Sequence, residues 1–333
     1  MAAVLVLAVA CKKSAPDSPS EPPDLQMVSA GSEPRKLLRY RIPKSSTQGL
    51  EVAADMTLTA GEMGGPLPTI VMTMLVAVED VGRDQRMKLR TTIVDATARE
   101  RDDSKIPAAA LSGQLDTMKG IAIESMLSPE GRLTKPQVEG SKQLTEEIAK
   151  QLSGLTASFE NVMMPLPNEP VGVGAVWRNS RPIEQNGMKL TSVNTFTLTA
   201  IDGDKLTFTI DTDVHGDDQT VKQGDLSVEI KDITGTGTGH GTLTLTKLDM
   251  TNELTAEFRS QMKSPGDDAP TRMTISSVTH IKPSGSMPVA PAAGSGAGSA
   301  SGSGAGNREG SGSGSAGAEE SAGSGSGSGR VDE

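Results

Sequence analysis

The segment from Arg86 to Ile93 reads Arg-Met-Lys-Leu-Arg-Thr-Thr-Ile, and its alternation of apolar and polar side chains decides the fold class. Met87, Leu89 and Ile93 recur at even spacing, and the basic residues stand between them. A period of two is typical of a β-strand that buries one face and exposes the other. The segment therefore predicts a strand of a half-buried sheet.

The same alternation recurs along most of the chain, which predicts many strands rather than one hairpin. Comparable runs occur at residues 38–42, 50–58, 70–78, 187–199, 206–210, 226–230 and 273–281. The dipeptide Asp202-Gly203 stands between two of these runs, and Asp-Gly is a preferred two-residue hairpin turn. Strands that follow one another through such short turns are antiparallel.

Two segments have a helical pattern instead. Ala108–Met118 is a short candidate, and residues 141–161 form a longer one. In the longer segment apolar residues recur every three or four positions, which is the apolar stripe of an amphipathic helix; they are Leu144, Ile148, Leu152, Leu155 and Phe159. The predicted fold is mainly β (α+β): a curved antiparallel sheet, or a half-barrel or sandwich, with one main helix packed on it.

Composition divides the chain into four parts. Residues 11–34 are rich in Pro, Ser and acidic residues, and residues 284–333 are rich in Gly, Ser and Ala. Both segments lack the apolar side chains whose burial offsets the loss of chain entropy, so neither is expected to fold. Residues 35–283 are predicted to form one β-rich domain, and residues 1–10 form a separate apolar leader.

Charge and aromatic content exclude some classes of partner. The formal net charge is −10 and the sequence pI is about 5.0, which disfavours nucleic acid because phosphate binding needs clustered Lys and Arg. Aromatic residues make up 2% of the chain, which disfavours a base-stacking platform. We therefore expect no nucleic-acid partner.

The N-terminus carries a short apolar run followed by the only cysteine of the chain. Ala2–Ala10 is too short to span a bilayer, which needs about 20 residues, but it fits the apolar region of a signal peptide. Val9, Ala10 and Cys11 together resemble the lipobox of bacterial lipoproteins. Ala8 stands where that family most often carries Leu, and no Lys or Arg precedes the run, which predicts a translation start upstream of Met1.

The resemblance to bacterial lipoproteins implies a location and an anchor. It implies that residues 1–10 are a cleaved signal peptide and that Cys11 is acylated, with palmitate among its acyl chains. Residues 11–34 then form a lipid-anchored, Pro-rich linker. The domain is expected in the cell envelope outside the cytoplasm, facing the periplasm or the cell surface, with the membrane as its first partner.

The body of the chain resembles an uncharacterised family of β-rich envelope lipoproteins. The resemblance rests on the order of strands, a central helix, Pro165-Leu-Pro167, Val171-Gly-Val-Gly174 and Trp177, followed by further strands. It covers about residues 35–283 and implies no known activity. Half-barrel carriers of lipids in bacterial envelopes are similar to it only at the level of the fold.

Four glycines alternate with polar residues in one predicted strand: Gly235, Gly237, Gly239 and Gly241. One interpretation is the floor of an apolar ligand groove, to which the in-phase Met72 and Met74 of another strand would contribute adaptable side chains. The other is a sharply bent strand, or close packing of the helix predicted over 141–161 against it, and this is preferred because glycine in strands usually marks bends or close backbone approach. For Met72 and Met74 the alternative to lining a groove is that their side chains simply fill the core.

Acidic residues and histidines offer little for metal binding or catalysis. Asp211, Asp213 and Asp217 partly follow the spacing of a calcium loop, but His215 and Lys222 stand where oxygen ligands belong, so an acidic hairpin is the preferred interpretation. His215, His240 and His280 lack metal-ligand spacing. We predict neither a metal nor a cofactor.

These patterns predict a non-enzymatic envelope lipoprotein of unknown role that binds an apolar ligand or a protein partner on a curved sheet. Its partner would be a lipid or another envelope protein. An alternative is a structural or adhesive surface protein that works through sheet edges and the Gly/Ser-rich tail. A hydrolase is the third hypothesis, since acids or histidines far apart in sequence could still meet in a cleft.

Overall fold

The computed structural model describes residues 24–134, 137–139, 163–185, 187–223, 226–266 and 268–285. These residues form the β-rich domain. The predicted signal peptide, Cys11, the predicted helix over 141–161 and nearly all of the predicted tail lie outside the described residues.

The domain is mainly β, as predicted, and its strands form one antiparallel sheet of fourteen. The described helix is α1 (Ala109–Asp116), which confirms the shorter of the two helical predictions. The strands are β1 (Asp24–Ser29), β2 (Thr47–Ala60), β3 (Met63–Pro66), β4 (Thr69–Val81), β5 (Met87–Arg99), β6 (Ala122–Leu127), β7 (Gln137–Val138), β8 (Val176–Gln185), β9 (Met188–Asp202), β10 (Lys205–Gly216), β11 (Gln219–Gln223), β12 (Leu226–Thr244), β13 (Met250–Lys263) and β14 (Thr271–Pro283).

Strand order is largely sequential within each half of the sheet. It runs β1-β8-β9-β10-β12-β13-β14-β2-β4-β5-β6-β7, while β11 pairs with β12 and β3 pairs with β2. The C-terminal strand β14 thus joins the halves, because it pairs with β13 on one side and with β2 on the other. The sheet is not closed into a barrel.

The prediction of a strand at residues 38–42 is right about burial but wrong about pairing with another strand. Leu38, Tyr40 and Ile42 are each no more than 2% exposed, as the alternation predicts, but the segment joins no ladder. It crosses the core instead: the Tyr40 N–H donates to Pro129 O at 2.8 Å and the Arg41 N–H to Leu245 O at 2.8 Å. Any extended backbone points alternate side chains in opposite directions, so alternation alone does not show that a ladder forms.

The sheet begins earlier in the chain than composition predicts. Asp24–Ser29, at the end of the predicted linker, pairs with β8 and places Leu25 and Met27 against the main core. The connection after β1 fits closely against the neighbouring loop, since a Cβ on Gly172 would lie 1.8 Å from Ser32 O. The described end of the linker is therefore part of the domain.

Two buried clusters occupy the sheet. The larger contains Trp177, whose ring stacks on Phe196 at 5.8 Å and whose Nε1–H donates to Pro165 O at 2.9 Å. Trp177 is fully buried, so it anchors the packing of this cluster. The smaller cluster lies toward the opposite ends of β9, β10 and β12; its members are Met188, Leu190, Val221, Val228, Ile230 and Ile233.

Candidate functional site

Cross-strand register defines one continuous face of the sheet, here called the inner face, on which the buried clusters lie. A row of directly opposed residues crosses six strands of this face; it comprises Arg181, Ser192, Val214, Gly235, Phe258 and Ile275 and is called the groove row. The next row of the inner face is called the amide row; it comprises Asn179, Asn194, Thr212, Gly237, Ala256 and Ser277. Directly opposed side chains point to the same side of a sheet.

An apolar groove of about 380 Å³ lies on the inner face at the groove row. Its floor includes Gly235 of β12. Its walls are mainly apolar, with Thr212, Thr236, Glu257 and Ser277 as polar members. Three of the apolar residues are flexible methionines; the apolar walls include Met188, Leu190, Val214, Phe258, Met262, Met273 and Ile275. The volume falls within the range of about 300–1,000 Å³ that is typical of small-molecule sites.

The two walls of the groove differ in burial. Met188, Leu190 and Ile230 are at most 8% exposed and belong to the smaller cluster. On the β13–β14 side, Phe258 and Ile275 are only half-buried. Apolar surface that stays partly in water loses hydrophobic stabilisation, at roughly 25 cal/mol for each Å² left exposed. The β13–β14 wall is therefore where added apolar contact would stabilise the protein most.

Close backbone contact is severe at two of the four alternating glycines. A Cβ on Gly241 would lie 2.4 Å from Thr251 O, and a Cβ on Gly239 would lie 2.6 Å from Glu253 O. At Gly237 and Gly235 the nearest contacts would be longer, 3.1 Å from Thr255 O and 3.2 Å from Val214 Cβ. All four glycines thus fit the interpretation of a closely packed strand, most strictly Gly239 and Gly241, and Gly235 also lines the groove.

The predicted methionines lie elsewhere on the inner face. Met74 is buried and lines a small cavity of about 50 Å³ inside the larger cluster, with Tyr40 and Met250 among its other walls. Met72 is half-buried against that cluster. Both therefore pack in the core, and neither is among the described walls of the groove.

The acidic residues of the calcium-like pattern do not form a loop. Asp211 and Asp213 lie in the extended strand β10, and Asp217 follows that strand. An EF-hand type of site needs a curved backbone that turns its oxygen ligands inward, which an extended strand cannot provide. Among the described residues, no group of three His, Cys, Asp or Glu side chains could hold a metal ion.

Two of the three histidines are brought near each other on the outer face. His240 is opposite Glu253 in the β12–β13 ladder, and His280 is opposite Glu253 in the β13–β14 ladder. His280 Nδ1 lies 3.4 Å from Glu253 Oε2, and all three side chains are exposed. His215 lies on β10, opposite Thr234.

A polar group beside the groove escapes prediction from the sequence. Asn179, Arg181 and Ser192 on β8 and β9 are at most 9% exposed, and Thr212 Oγ1 donates to Asn194 Oδ1 at 2.7 Å. The signal in the sequence is that Asn179 and Arg181 stand in phase between two apolar residues of β8, Trp177 and Ile183. Alternation identifies residues that share a face, but it does not say that polar ones are buried.

Comparison with known proteins finds a match to a family over part of the chain, and that family has no known activity. Residues 124–249 match a family described as "Family of unknown function (DUF6263)", which is less than half of the chain. The match spans most of β6 and all of β7 to β12, and so contains the Arg181 end of the groove row and the four glycines. No curated protein matches the chain.

Helix α1 is short, with eight residues. Within the part of the chain that the structure describes, no helix is long and apolar enough to cross a bilayer.

Proposed function

We propose that this chain is a non-enzymatic, lipid-anchored protein of the cell envelope that binds an apolar ligand in the inner-face groove. The observation that carries the proposal is the groove of about 380 Å³ at the groove row, which apolar side chains line on both sides. Sites for small ligands are mostly apolar and concave, with a few polar groups that set orientation.

The kind of side chain in the groove supports a flexible apolar ligand. Met188, Met262 and Met273 all line it, and methionine adapts its shape to its neighbours because it is unbranched and has three rotatable bonds. Aromatic rings are represented by Phe258. Such walls suit an alkyl or acyl chain better than a rigid planar molecule.

The groove is tested by substitution on β14. Ile275→Asp places a charge among apolar walls, and we expect it to weaken binding of hexadecanol at least tenfold in a fluorescent-probe displacement assay. Thr274→Asp is the matched control, because Thr274 is the adjacent position and lies on the other face. Thermal unfolding of both variants separates lost binding from lost folding.

The native ligand is tested without any variant. The full chain, purified from its host membrane with mild detergent, is expected to carry apolar molecules that mass spectrometry detects in an organic extract. Failure of the protein both to retain such molecules and to bind hexadecanol would contradict the proposal.

The proposal of a lipid anchor rests on the residues around Cys11. Because Cys11 follows a short apolar run and two small residues, we propose that it is acylated and that residues 1–10 are removed. Globomycin, which inhibits the lipoprotein signal peptidase, should cause precursor to accumulate, and labelled palmitate should enter the wild type but not Cys11→Ser. Ala8→Leu, which restores the usual residue of the motif, is the control that should still be processed and labelled.

A second candidate is a structural or adhesive surface protein. The observation that favours it is β1, an end strand of the sheet whose Val28 is 54% exposed. Unpaired strand edges can bind a further strand of another chain. If this is the role, deletion of residues 284–333 or a Val28→Lys change should reduce attachment to a partner surface while ligand binding stays unchanged.

A further inference from the structure

The lining of the groove on the inner face carries no charged side chain within the part of the chain that the structure describes. Glu257 is the charged residue among those that border the groove. It stands between Ala256 and Phe258 of the inner face and directly opposite Thr236, so its side chain belongs to the outer face. There its Oε1 atom is ion-paired with Arg259 Nη2 at 2.5 Å. A ligand that lies on the inner face therefore meets uncharged walls.

Arg181 does not supply the missing charge, although it shares the groove row. It is 9% exposed, it already interacts with another group of the protein, and it is not among the residues that line the groove. Buried charges in proteins are kept stable by such partners within the fold. Arg181 is therefore part of the packing beside the groove and not a free cation for a ligand.

Uncharged walls select against ions. An ion that enters an apolar groove gives up its water and gains no opposite charge, which costs far more than the same transfer of a neutral polar group. The loss of water from a hydroxyl, in contrast, is offset by one or two hydrogen bonds. The groove therefore favours an uncharged ligand with a small polar head.

The polar contacts for such a head lie at one edge of the groove. Two hydroxyl side chains of the inner face line it, Thr212 and Ser277, and both belong to the amide row. Thr212 Oγ1 already donates to Asn194 Oδ1 at 2.7 Å. Ser277 is half-buried on β14, and none of the hydrogen bonds between described residues uses its Oγ atom. Because a hydroxyl can both donate and accept, Ser277 is the polar contact that remains for a ligand.

Apolar side chains continue from that edge along the same strands. Ile275 and Met273 follow Ser277 on the inner face of β14, and on β13 the lining runs from Ala256 to Met262. That length of extended strand is about 20 Å. One acyl chain fills half of the hydrocarbon core of a bilayer, which is about 15 Å. The groove is thus long enough for one alkyl chain that lies along β13 and β14 with its head at Ser277.

We propose that the groove is selective for an uncharged, single-chain alkyl ligand whose hydroxyl binds Ser277 Oγ. This inference rests on the proposed function and adds the charge and the head group of the ligand. It names one chemistry that two sources share: a long-chain alcohol and a monoacylglycerol both offer an uncharged hydroxyl on one alkyl chain.

The charge of the ligand is tested with molecules that share one alkyl chain. Hexadecanol, hexadecanoate and hexadecylamine are titrated at pH 8 against the full chain by displacement of a fluorescent probe; at that pH they are uncharged, anionic and cationic. We expect hexadecanol to bind at least about tenfold more tightly than either ion, because each ion loses hydration without gaining a partner. Monopalmitoylglycerol is titrated alongside, and its affinity relative to hexadecanol distinguishes the two sources of the hydroxyl.

Substitution of Ser277 tests the position of the head group. Ser277→Ala should weaken hexadecanol binding by about three- to tenfold, since one neutral hydrogen bond contributes that factor. Binding of hexadecane, which has no hydroxyl, should stay within about twofold. Ser276→Ala is the matched control, because Ser276 is the adjacent serine, lies opposite Glu257 on the outer face and should change neither ligand.

A cation placed in the lining should invert the selectivity. Ser277→Lys should raise the affinity for hexadecanoate relative to hexadecanol by at least about tenfold, because the carboxylate then gains a charged partner. Ser276→Lys adds the same charge on the outer face and should leave that ratio as it is in the wild type. Thermal unfolding of all four variants shows that each is folded at the temperature of the titrations.

The outcomes separate the two proposals. If hexadecanol and hexadecane both fail to bind the wild type, the apolar groove itself is not a ligand site and the proposed function is wrong. If hexadecanol binds but either ion binds as tightly, or if the substitutions at Ser277 and Ser276 have equal effects, only the inference of an uncharged ligand with its head at Ser277 is overturned.

Discussion

At the scale of single residues, the contacts of the glycines in β12 predict unequal costs for the same substitution. Gly241→Ala would place a Cβ 2.4 Å from Thr251 O and 2.9 Å from Phe208 Cζ, whereas the closest contact at Gly237 is 3.1 Å. We expect Gly241→Ala to lower the free energy of unfolding by about 1–3 kcal/mol through overpacking. Gly237→Ala should cost less than about 1 kcal/mol, because alanine also restricts the unfolded chain.

Urea unfolding of the two alanine variants measures this difference directly. Equal costs at Gly241 and Gly237 would show that close backbone contact is not the reason for glycine in β12.

A second residue-scale prediction concerns Tyr40, the only tyrosine of the chain. Its hydroxyl donates to Met164 O at 3.1 Å, and burial raises the pKa of Tyr40 above its ordinary value. Tyr40→Phe removes the hydrogen bond, so it should cost about 1 kcal/mol at neutral pH. At high pH the order of stability of the two proteins should reverse, because folding is then linked to the ionisation of Tyr40.

The direction in which pH changes the free energy of unfolding depends on whether the unfolded or the folded state loses the Tyr40 proton first. The unfolded chain ionises Tyr40 at about pH 10, whereas the folded protein keeps the phenol neutral. The wild type therefore keeps its full free energy of unfolding below about pH 10. Above that pH, its free energy of unfolding falls by about 1.4 kcal/mol per pH unit. Tyr40→Phe should therefore equal or exceed the wild type near pH 11. Denaturant unfolding at both pH values tests this, and phenolate absorbance in the native protein before pH 11 would contradict it.

At the scale of elements, deletion of β1 tests where the domain begins. Leu25 and Met27 pack on the larger cluster and the strand completes the β8 edge, so deletion of Asp24–Ser29 should lower the free energy of unfolding by at least about 2 kcal/mol. Deletion of Lys12–Asp17 removes six residues from the same predicted linker and is the control. If both deletions have the same small effect, β1 is not an integral part of the domain.

Element prediction worked where local pattern and long-range pairing agree. The strand predicted at residues 87–93 is the first part of β5. Met87, Leu89 and Ile93 are buried, and Lys88 is ion-paired to Glu124 at 2.6 Å on the other face. It failed for residues 38–42, whose hydrogen-bond partners are two loops rather than a strand. Pairing depends on what lies beside a segment, and that information is not local.

At the scale of the whole molecule, β14 is predicted to be indispensable and the segment after it dispensable. Its ladder with β2 runs to Pro283, and the Ser284 N–H donates to Gly49 O at 2.7 Å. Deletion of residues 286–333 should therefore change the free energy of unfolding by less than about 0.5 kcal/mol. Deletion from Thr271 onward should prevent cooperative folding, because β14 joins the halves of the sheet.

Circular dichroism and urea unfolding of the two truncated chains provide the measurement. A large loss of stability in the shorter deletion would mean that residues after 285 contribute to the domain, which composition does not predict.

The sequence by itself determined the fold class, most of the strands, the short helix and the chemical character of the surface. These properties depend on local periodicity and composition, which each segment carries regardless of its neighbours. The motif at Cys11 and the helix predicted over 141–161 are also local patterns, and they stay predictions. Only the tertiary structure decided that β14 lies between β13 and β2, that Gly235 is a groove floor while Gly241 is a close contact, and that Arg181 is buried beside apolar walls. Each of these depends on which strands become neighbours, and strand pairing joins residues far apart in the chain whose encounter no local pattern specifies.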